Sequence, residues 1–225
     1  MAAAFGPAHG GFPLGRPTLF LRSSDDRREQ HASWWVGDEV GSQVALLVSR
    51  SAVATRVGRP PRTLQFQMIG PDGAPMLSVT RFAEPHHRLE VCDPAGVIIG
   101  QVRQTNASGQ AFRTARMAIV LGSGQRIFAG ADLTIDPSRN RYADVRTPIR
   151  DAAGSVIATV ERQGRYTGRA DSSFVYKLDC LQPTGEPLPT LLLTTAFTYS
   201  LYDRLAGGGF LGAVGRWLSR PTWES

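Results

Sequence analysis

The sequence predicts a mostly β fold: a closed antiparallel barrel of about twelve strands around a central, C-terminal hydrophobic helix. Three observations point there. Apolar residues alternate with polar ones through most of the chain, the period of a half-buried strand. Glycines 41, 73, 96, 124, 154 and 185 recur 32, 23, 28, 30 and 31 residues apart, the length of a repeating hairpin. Up to Leu188 no helix-length apolar pattern interrupts the strands, and closure removes the exposed edges of so long a meander.

The elements follow in order. Residues 1–16, MAAAFGPAHGGFPLGR, are Gly-, Ala- and Pro-rich and are expected to be disordered. They lack a basic start and a continuous apolar run, so they do not read as a signal peptide. Residues 17–206 form the barrel unit. Leu64, Phe66 and Met68 precede the turn Pro71-Asp72-Gly73, with Leu77 and Val79 beyond it. Leu89 and Val91 precede Asp93-Pro94-Ala95-Gly96, and Ile98 and Val102 continue that hairpin as core, with Gly100 as a close-approach position. Met117, Ile119 and Leu121 lead to Gly122-Ser123-Gly124, then Ile127, Ala129, Ala131, Leu133 and Ile135. Val145, Thr147 and Ile149 lead to Asp151-Ala152-Ala153-Gly154, then Val156, Ala158 and Val160; Phe174, Tyr176 and Leu178 make one more strand.

The helix spans 188–206. The 16 residues between Glu186 and Asp203 are uncharged and apolar around most of the circumference. At ~1.5 Å per residue they extend about 24 Å, short of the roughly 30 Å hydrocarbon core of a membrane. Five of them are Ser or Thr. A helix buried inside the protein is therefore expected over a membrane span. The remaining residues, 207–225, place Phe210, Leu211, Val214, Trp217 and Leu218 on one helical face, with Arg216 and Arg220 off it. Such a tail suits the interface of an anionic membrane or packing against the barrel.

Charge is unevenly spread. The formal net charge is +6, and 24 of the 25 basic residues are Arg, Lys177 being the exception. Residues 101–170 hold 11 Arg against 5 acids; the rest of the chain is balanced at 14 of each. A localised basic surface attracts nucleic acid or an anionic membrane. Arg113 and Arg116 fall on one strand, Arg146 and Arg150 on another, and Arg162, Arg165 and Arg169 in the following connector. Aligned, they would form one face able to fork onto phosphate.

Enzymatic chemistry is not indicated. Cys92 and Cys180 stand alone, which suits a reduced, cytoplasmic setting and no metal site. His86-His87 has no ligand partner at metal spacing and reads as a polar hairpin connector. Gly122-Ser123-Gly124 reads first as a turn and second as a phosphate cradle. No nucleophile elbow, P-loop, dinucleotide or zincin motif occurs.

LQFQMIGPDGAPMLSVTR (64–81), HHRLEVCDPAGVIIGQVRQT (87–105), RDAAGSVIATVERQG (150–164) and the helix at 188–206, in that order, resemble the phospholipid scramblase and LURP-one-related group of the tubby-like barrel superfamily. The resemblance extends over residues 31–206. It implies a twelve-stranded barrel closed on its helix, association with anionic phospholipid at the inner face of the membrane, and scrambling of lipid in the scramblase branch. Two features of that group are altered. The connector RFAEPHHR (81–88) has no cysteine for a lipid anchor. The acidic segment proposed there to bind calcium is GRADSSFVYKLD (168–179), where Asp171 and Asp179 are the only carboxylates. Two carboxylates fall short of the six to eight oxygens calcium takes, so no cofactor is expected. The alternative function is a soluble, non-enzymatic module that binds protein or nucleic acid through the Arg-rich face. Nothing in the sequence fixes the oligomeric state.

Overall fold

A computed structural model describes residues 11–23, 32–51, 53, 62–83, 86–106, 116–135, 144–164 and 174–206. Among them stand twelve strands: β1 (Thr18–Ser23), β2 (Ser33–Gly37), β3 (Gln43–Ser49), β4 (Thr63–Ile69), β5 (Pro75–Phe82), β6 (Arg88–Cys92), β7 (Ile98–Gln104), β8 (Arg116–Ser123), β9 (Arg126–Thr134), β10 (Val145–Asp151), β11 (Val156–Gly164) and β12 (Phe174–Cys180). One helix, α1 (Leu188–Ala206), follows. Each strand pairs antiparallel with its sequence neighbours, and β1 closes the ring on β12 through registers such as Leu19↔Leu178. The predicted barrel is therefore present, with strand order equal to chain order.

Alternation decides the two faces. Leu64, Phe66 and Met68 point inward while Gln65 stands exposed between them. The inward residues of all twelve strands form one core cluster with α1, in which every side chain from Leu191 to Asp203 is buried. Trp34, Phe66 and Phe197 pack edge to face, with centroids 5.6, 5.0 and 4.9 Å apart, and join barrel wall to helix. Gly100 faces the helix as expected: a Cβ there would lie 2.9 Å from Leu191 Cδ2. The helix tolerates its hydroxyls because each finds an acceptor or donor. Thr194, Thr195 and Thr198 donate to the carbonyls four residues earlier, and Trp34 Nε1 donates to Ser200 Oγ at 2.9 Å. No helix among the described residues is long and apolar enough to cross a membrane.

The two ends of the barrel are built differently. At one end lie the tight turns joining β2–β3, β4–β5, β6–β7, β8–β9 and β10–β11, with positive-φ glycines at 41, 73, 96, 124 and 154. Four of these share one device. The N–H of Asp38, Gly70, Asp93 or Asp151 donates to the carbonyl four residues on, and the glycine's N–H donates back to that first residue. A carboxylate then caps the loop: Asp38, Asp93 and Asp151 accept from backbone N–H groups within four residues, and Asp72 accepts from Ala74 N. The β8–β9 turn is different: Gly124 and Gln125 close it between the paired Ser123 and Arg126, and it has no carboxylate. Gly185, sixth in the glycine series, lies before α1 without a positive φ.

Two sequence expectations change here. Residues 11–16 belong to the fold: Pro13–Gly15 make a 3-10 turn, Pro13 is buried, and Phe12 and Leu14 pack against the core beside α1. Their apolar side chains cover the mouth where the helix begins, so the disordered segment expected at 1–16 does not reach that far; residues 1–10 lie outside the described residues. Ile98 and Ile127, assigned inward by strand parity, are 58% and 51% exposed. Both stand at the rim next to register shifts, at Val91/Cys92 and Leu121/Gly122, where the barrel wall ends and no core faces them.

Candidate anion-binding wall

Charge on the outside of the barrel is segregated by strand. The strands β2–β5 carry one charged residue, Arg81, and it points inward. Strands β6–β10 present six outward arginines, Arg88, Arg103, Arg116, Arg126, Arg146 and Arg150, against Glu90, Asp132 and Asp151. Their outward parity follows from inward neighbours: Val102 and Gln104 flank Arg103, and Thr147 and Ile149 lie between Arg146 and Arg150. Arg88 stands 3.9 Å from Glu90, Arg146 faces Glu161 across the β10–β11 ladder, and Arg150 Nη1 donates to Gly154 O at 2.9 Å.

A hollow of about 260 Å3 opens on this wall where β7 meets the β8–β9 hairpin. Its polar lining is Gln101, Arg103, Gln125 and Arg126, with the backbone of Gly122 and Gly124. Val120 and Ile127 complete it, and no carboxylate lines it. Register builds the site: Arg103 lies opposite Val120, Gln101 opposite Gly122, and Ser123 opposite Arg126. Gly122 allows the close approach of β9, since a Cβ would lie 2.6 Å from the Arg126 carbonyl oxygen. The Arg126 guanidinium sits 5.0 Å over the Phe128 ring, which orients it. Volume and donors suit one anionic group of phosphate size; small-molecule sites run ~300–1,000 Å3.

The predicted arginines divide. Arg116, Arg146 and Arg150 are exposed on the wall, as parity required. Arg113, Arg165 and Arg169 lie outside the described residues, as do Asp171 and the tail positions Phe210, Leu211, Val214, Trp217 and Leu218. Arg162 is a correction. It belongs to β11, not to a connector, and is 3% exposed inside the barrel. Its Nη1 donates to Asp203 Oδ2 at 3.0 Å, and Tyr176 OH donates to the same oxygen at 2.6 Å. It is committed to the last turn of α1 and is not available to a ligand. Asp179 lies on the outer face, 2.9 Å from Lys177 Nζ and accepting from Thr18 Oγ1, so a cation would have to displace Lys177. No group of three His, Cys, Asp or Glu that could hold a metal occurs among the described residues.

A second buried polar cluster lies with Arg162 and Asp203 at the other mouth, where the helix ends. Arg81, 1% exposed, donates from Nε to Tyr202 OH at 3.3 Å and from Nη2 toward His87 Nδ1 at 3.4 Å. His87 is fully buried, and its backbone N–H donates to Gln104 Oε1. The expected polar connector thus places one histidine, His86, in solvent and turns the other into the core. Burial, with Asp203 nearby, pushes the Tyr199 hydroxyl up to about 12 and holds Tyr176 well above the usual phenol range. Burial also raises Tyr202, against the opposing pull of Arg81. This end is polar inside and packed.

Arg103 and Arg126 were missed as site residues by sequence reasoning. Their outward parity was readable, but their convergence on one hollow depends on the β7–β8 and β8–β9 registers. Compared with protein-family models, curated proteins and solved structures, the chain matches none.

Proposed function

We propose that the protein is a non-enzymatic barrel that associates with anionic phospholipid membranes through the outer wall of β6–β10. The observation that carries this reading is the concentration of six outward arginines on that wall, whereas near β2–β5 Arg22 of β1 is stacked on Trp35 and Arg50 is bonded to Gln67. A one-sided basic surface meets a negatively charged leaflet at about 1 kcal/mol per Lys or Arg near it. The resemblance to scramblase-like barrels supports the same partner and a place at the inner face of the membrane. The packed interior, occupied by α1, favours binding over a lipid pathway through the barrel.

Nucleic acid is the alternative partner for such a wall. The aromatic residues on the outside argue against single strands. Phe82 and Phe128 lie under the guanidinium groups of Arg88 and Arg126, at 4.7 and 5.0 Å, so one face of each ring is already covered. Co-sedimentation of the purified chain with phosphatidylcholine vesicles, with and without phosphatidylserine, tests the proposal. Binding is expected only with the anionic lipid and is expected to weaken as salt rises. Absence of binding to anionic vesicles at low salt, with retention of an oligonucleotide, would replace it with the nucleic-acid reading.

A further inference from the structure

Five large apolar side chains are exposed among the described residues: Val40, Val97, Ile98, Ile127 and Leu181, at 51% to 85%. All stand at the tight-turn end of the barrel. Three of them, Val97, Ile98 and Ile127, occupy two adjacent hairpins, β6–β7 and β8–β9, joined by the β7–β8 ladder. Ile127 itself lines the hollow that Arg103 and Arg126 share. The other two keep acidic company: Val40 follows Asp38-Glu39, and Leu181 stands between Asp179 and Glu186 in the chain.

The carboxylates of the turns sharpen this asymmetry. Asp38, Asp72 and Asp151 mark three of the five tight turns, whereas β8–β9 has Gly124, Gln125 and Arg126 in their place. At β6–β7 the carboxylate is Asp93, which like Asp38, Asp72 and Asp151 is turned back on its own loop, accepting from Val97 N at 2.8 Å, so among the five turns β8–β9 alone has none. One corner of the rim therefore combines exposed aliphatic tips with a basic hollow. Elsewhere on the rim the turn carboxylates offset nearby cations, Asp38 standing 3.9 Å from Arg16 and Asp151 following Arg150, so attraction to a negative surface is weaker there.

From this geometry, and resting on the lipid reading above, we infer an oriented membrane footprint at that corner. The headgroup phosphate of an anionic phospholipid occupies the hollow between Arg103 and Arg126, with Gln101 and Gln125 as further donors. Val97, Ile98 and Ile127 enter the interfacial layer beside it. The barrel thus stands tilted on the β6–β9 corner, with the Asp38 turn raised from the surface. Paired apolar and cationic contacts on one patch are what a peripheral membrane site requires, since either alone binds weakly.

The test places an environment-sensitive fluorophore on a single cysteine of the full chain, with Cys92 and Cys180 replaced by Ser. One variant carries it at Ile127→Cys and another at Val40→Cys. Vesicles of equimolar phosphatidylcholine and phosphatidylserine are then added. The expected result is a blue shift and quenching by lipid-borne quenchers at position 127, with no change at position 40. Vesicle binding with an aqueous probe at 127, or equal responses at both positions, would overturn the footprint while the lipid reading stands. Failure to co-sediment at all would remove both. Arg103→Ala with Arg126→Ala should lower vesicle affinity about 25-fold, roughly fivefold for each arginine near the surface, with circular dichroism unchanged. A smaller loss than from Arg116→Ala with Arg146→Ala would also overturn it. So would tight binding of soluble glycerophosphoserine without vesicle binding, which would make the hollow a site for free phosphate esters.

Discussion

Arg162 and Arg103 belong to the same basic stretch of chain and have opposite fates. Arg162 lies inside the barrel, held by Asp203 from the last turn of α1 and sharing that carboxylate with Tyr176. Arg103 lies outside, exposed, on the lining of a hollow with no carboxylate. Both follow the parity of their strands. What separates them is the partner. A guanidinium can be buried only where a carboxylate or several acceptors compensate its lost hydration, and α1 brings Asp203 to β11 across 41 residues of sequence. Arginine content therefore counts two populations, one that ties the helix to the wall and one free to meet phosphate.

Removing the buried member should have the largest effect. Arg162→Met leaves Asp203 buried without its ion pair, a loss of about 3–5 kcal/mol. For a domain of this size that lowers the melting temperature on the order of 10 °C. Adding Asp203→Leu and Tyr176→Phe removes the orphaned groups and should recover most of the loss, measured by thermal melts of both variants. If the single variant melts like the parent, the pair does not anchor the helix and the division between the two populations collapses.

Alkali should attack the same mouth. An unfolded tyrosine loses its proton near pH 10, whereas Tyr199 keeps it to about 12, and Tyr176 and Tyr202 are also raised. Above pH 10 the unfolded chain binds fewer protons than the folded one, so stability falls as pH rises. The contribution is complete below pH 10 and is lost through the folded values, at about 1.4 kcal/mol per pH unit for each tyrosine. Phenolate absorbance from Tyr176, Tyr199 and Tyr202 should therefore appear late and together with unfolding. Early ionisation of Tyr176, Tyr199 and Tyr202, ahead of unfolding, would contradict a sealed mouth.

Gly122→Ala tests how the outer population is positioned. A Cβ 2.6 Å from the Arg126 carbonyl oxygen forces the β8–β9 backbone apart. Overpacking of this kind costs about 1–3 kcal/mol. The melting temperature should fall by less than for Arg162→Met, and Arg126 should move off the hollow. An unchanged melt would mean that the hairpin yields freely and does not fix the hollow's geometry.

Most of the architecture was legible because it rests on local rules. Period-two alternation gave the strands, five positive-φ glycines their turns, and 16 uncharged residues the central helix. The inward fate of Arg162 was legible too: Ala158 and Val160 point inward, and Arg162 is the next residue of that parity. It was read as connector because a charged residue looks like a strand end until its partner is known, and Asp203 is remote in sequence. The same holds for Arg81 after Leu77 and Val79, and for His87 before Leu89. Parity fails in the other direction at Ile98 and Ile127, because alternation does not say how far along a strand the core extends. The hollow was illegible for a third reason. It needs two registers and a bulge, and these are set by how neighbouring strands settle on the helix.

The smallest expected effect on stability is the most informative about function. Arg103→Ala and Arg126→Ala remove exposed side chains that no carboxylate of the hollow holds, and surface changes of this kind usually stay within ±0.5 kcal/mol. Arg126 gives up its contact with Phe128, worth about 0.5–1 kcal/mol at an exposed site, so it should be the slightly more costly of the two. Thermal melts of both should nearly overlay the parent, while binding to phosphatidylserine vesicles declines. A pair of variants that lose binding only by losing the fold would place Arg103 and Arg126 with Arg162, as structural arginines, and leave the basic wall without its strongest support. Intact folding with diminished binding separates the two populations by experiment. The reason is physical: a charge already compensated inside the protein has little left to offer a ligand, and one left in water keeps its full field for a phosphate.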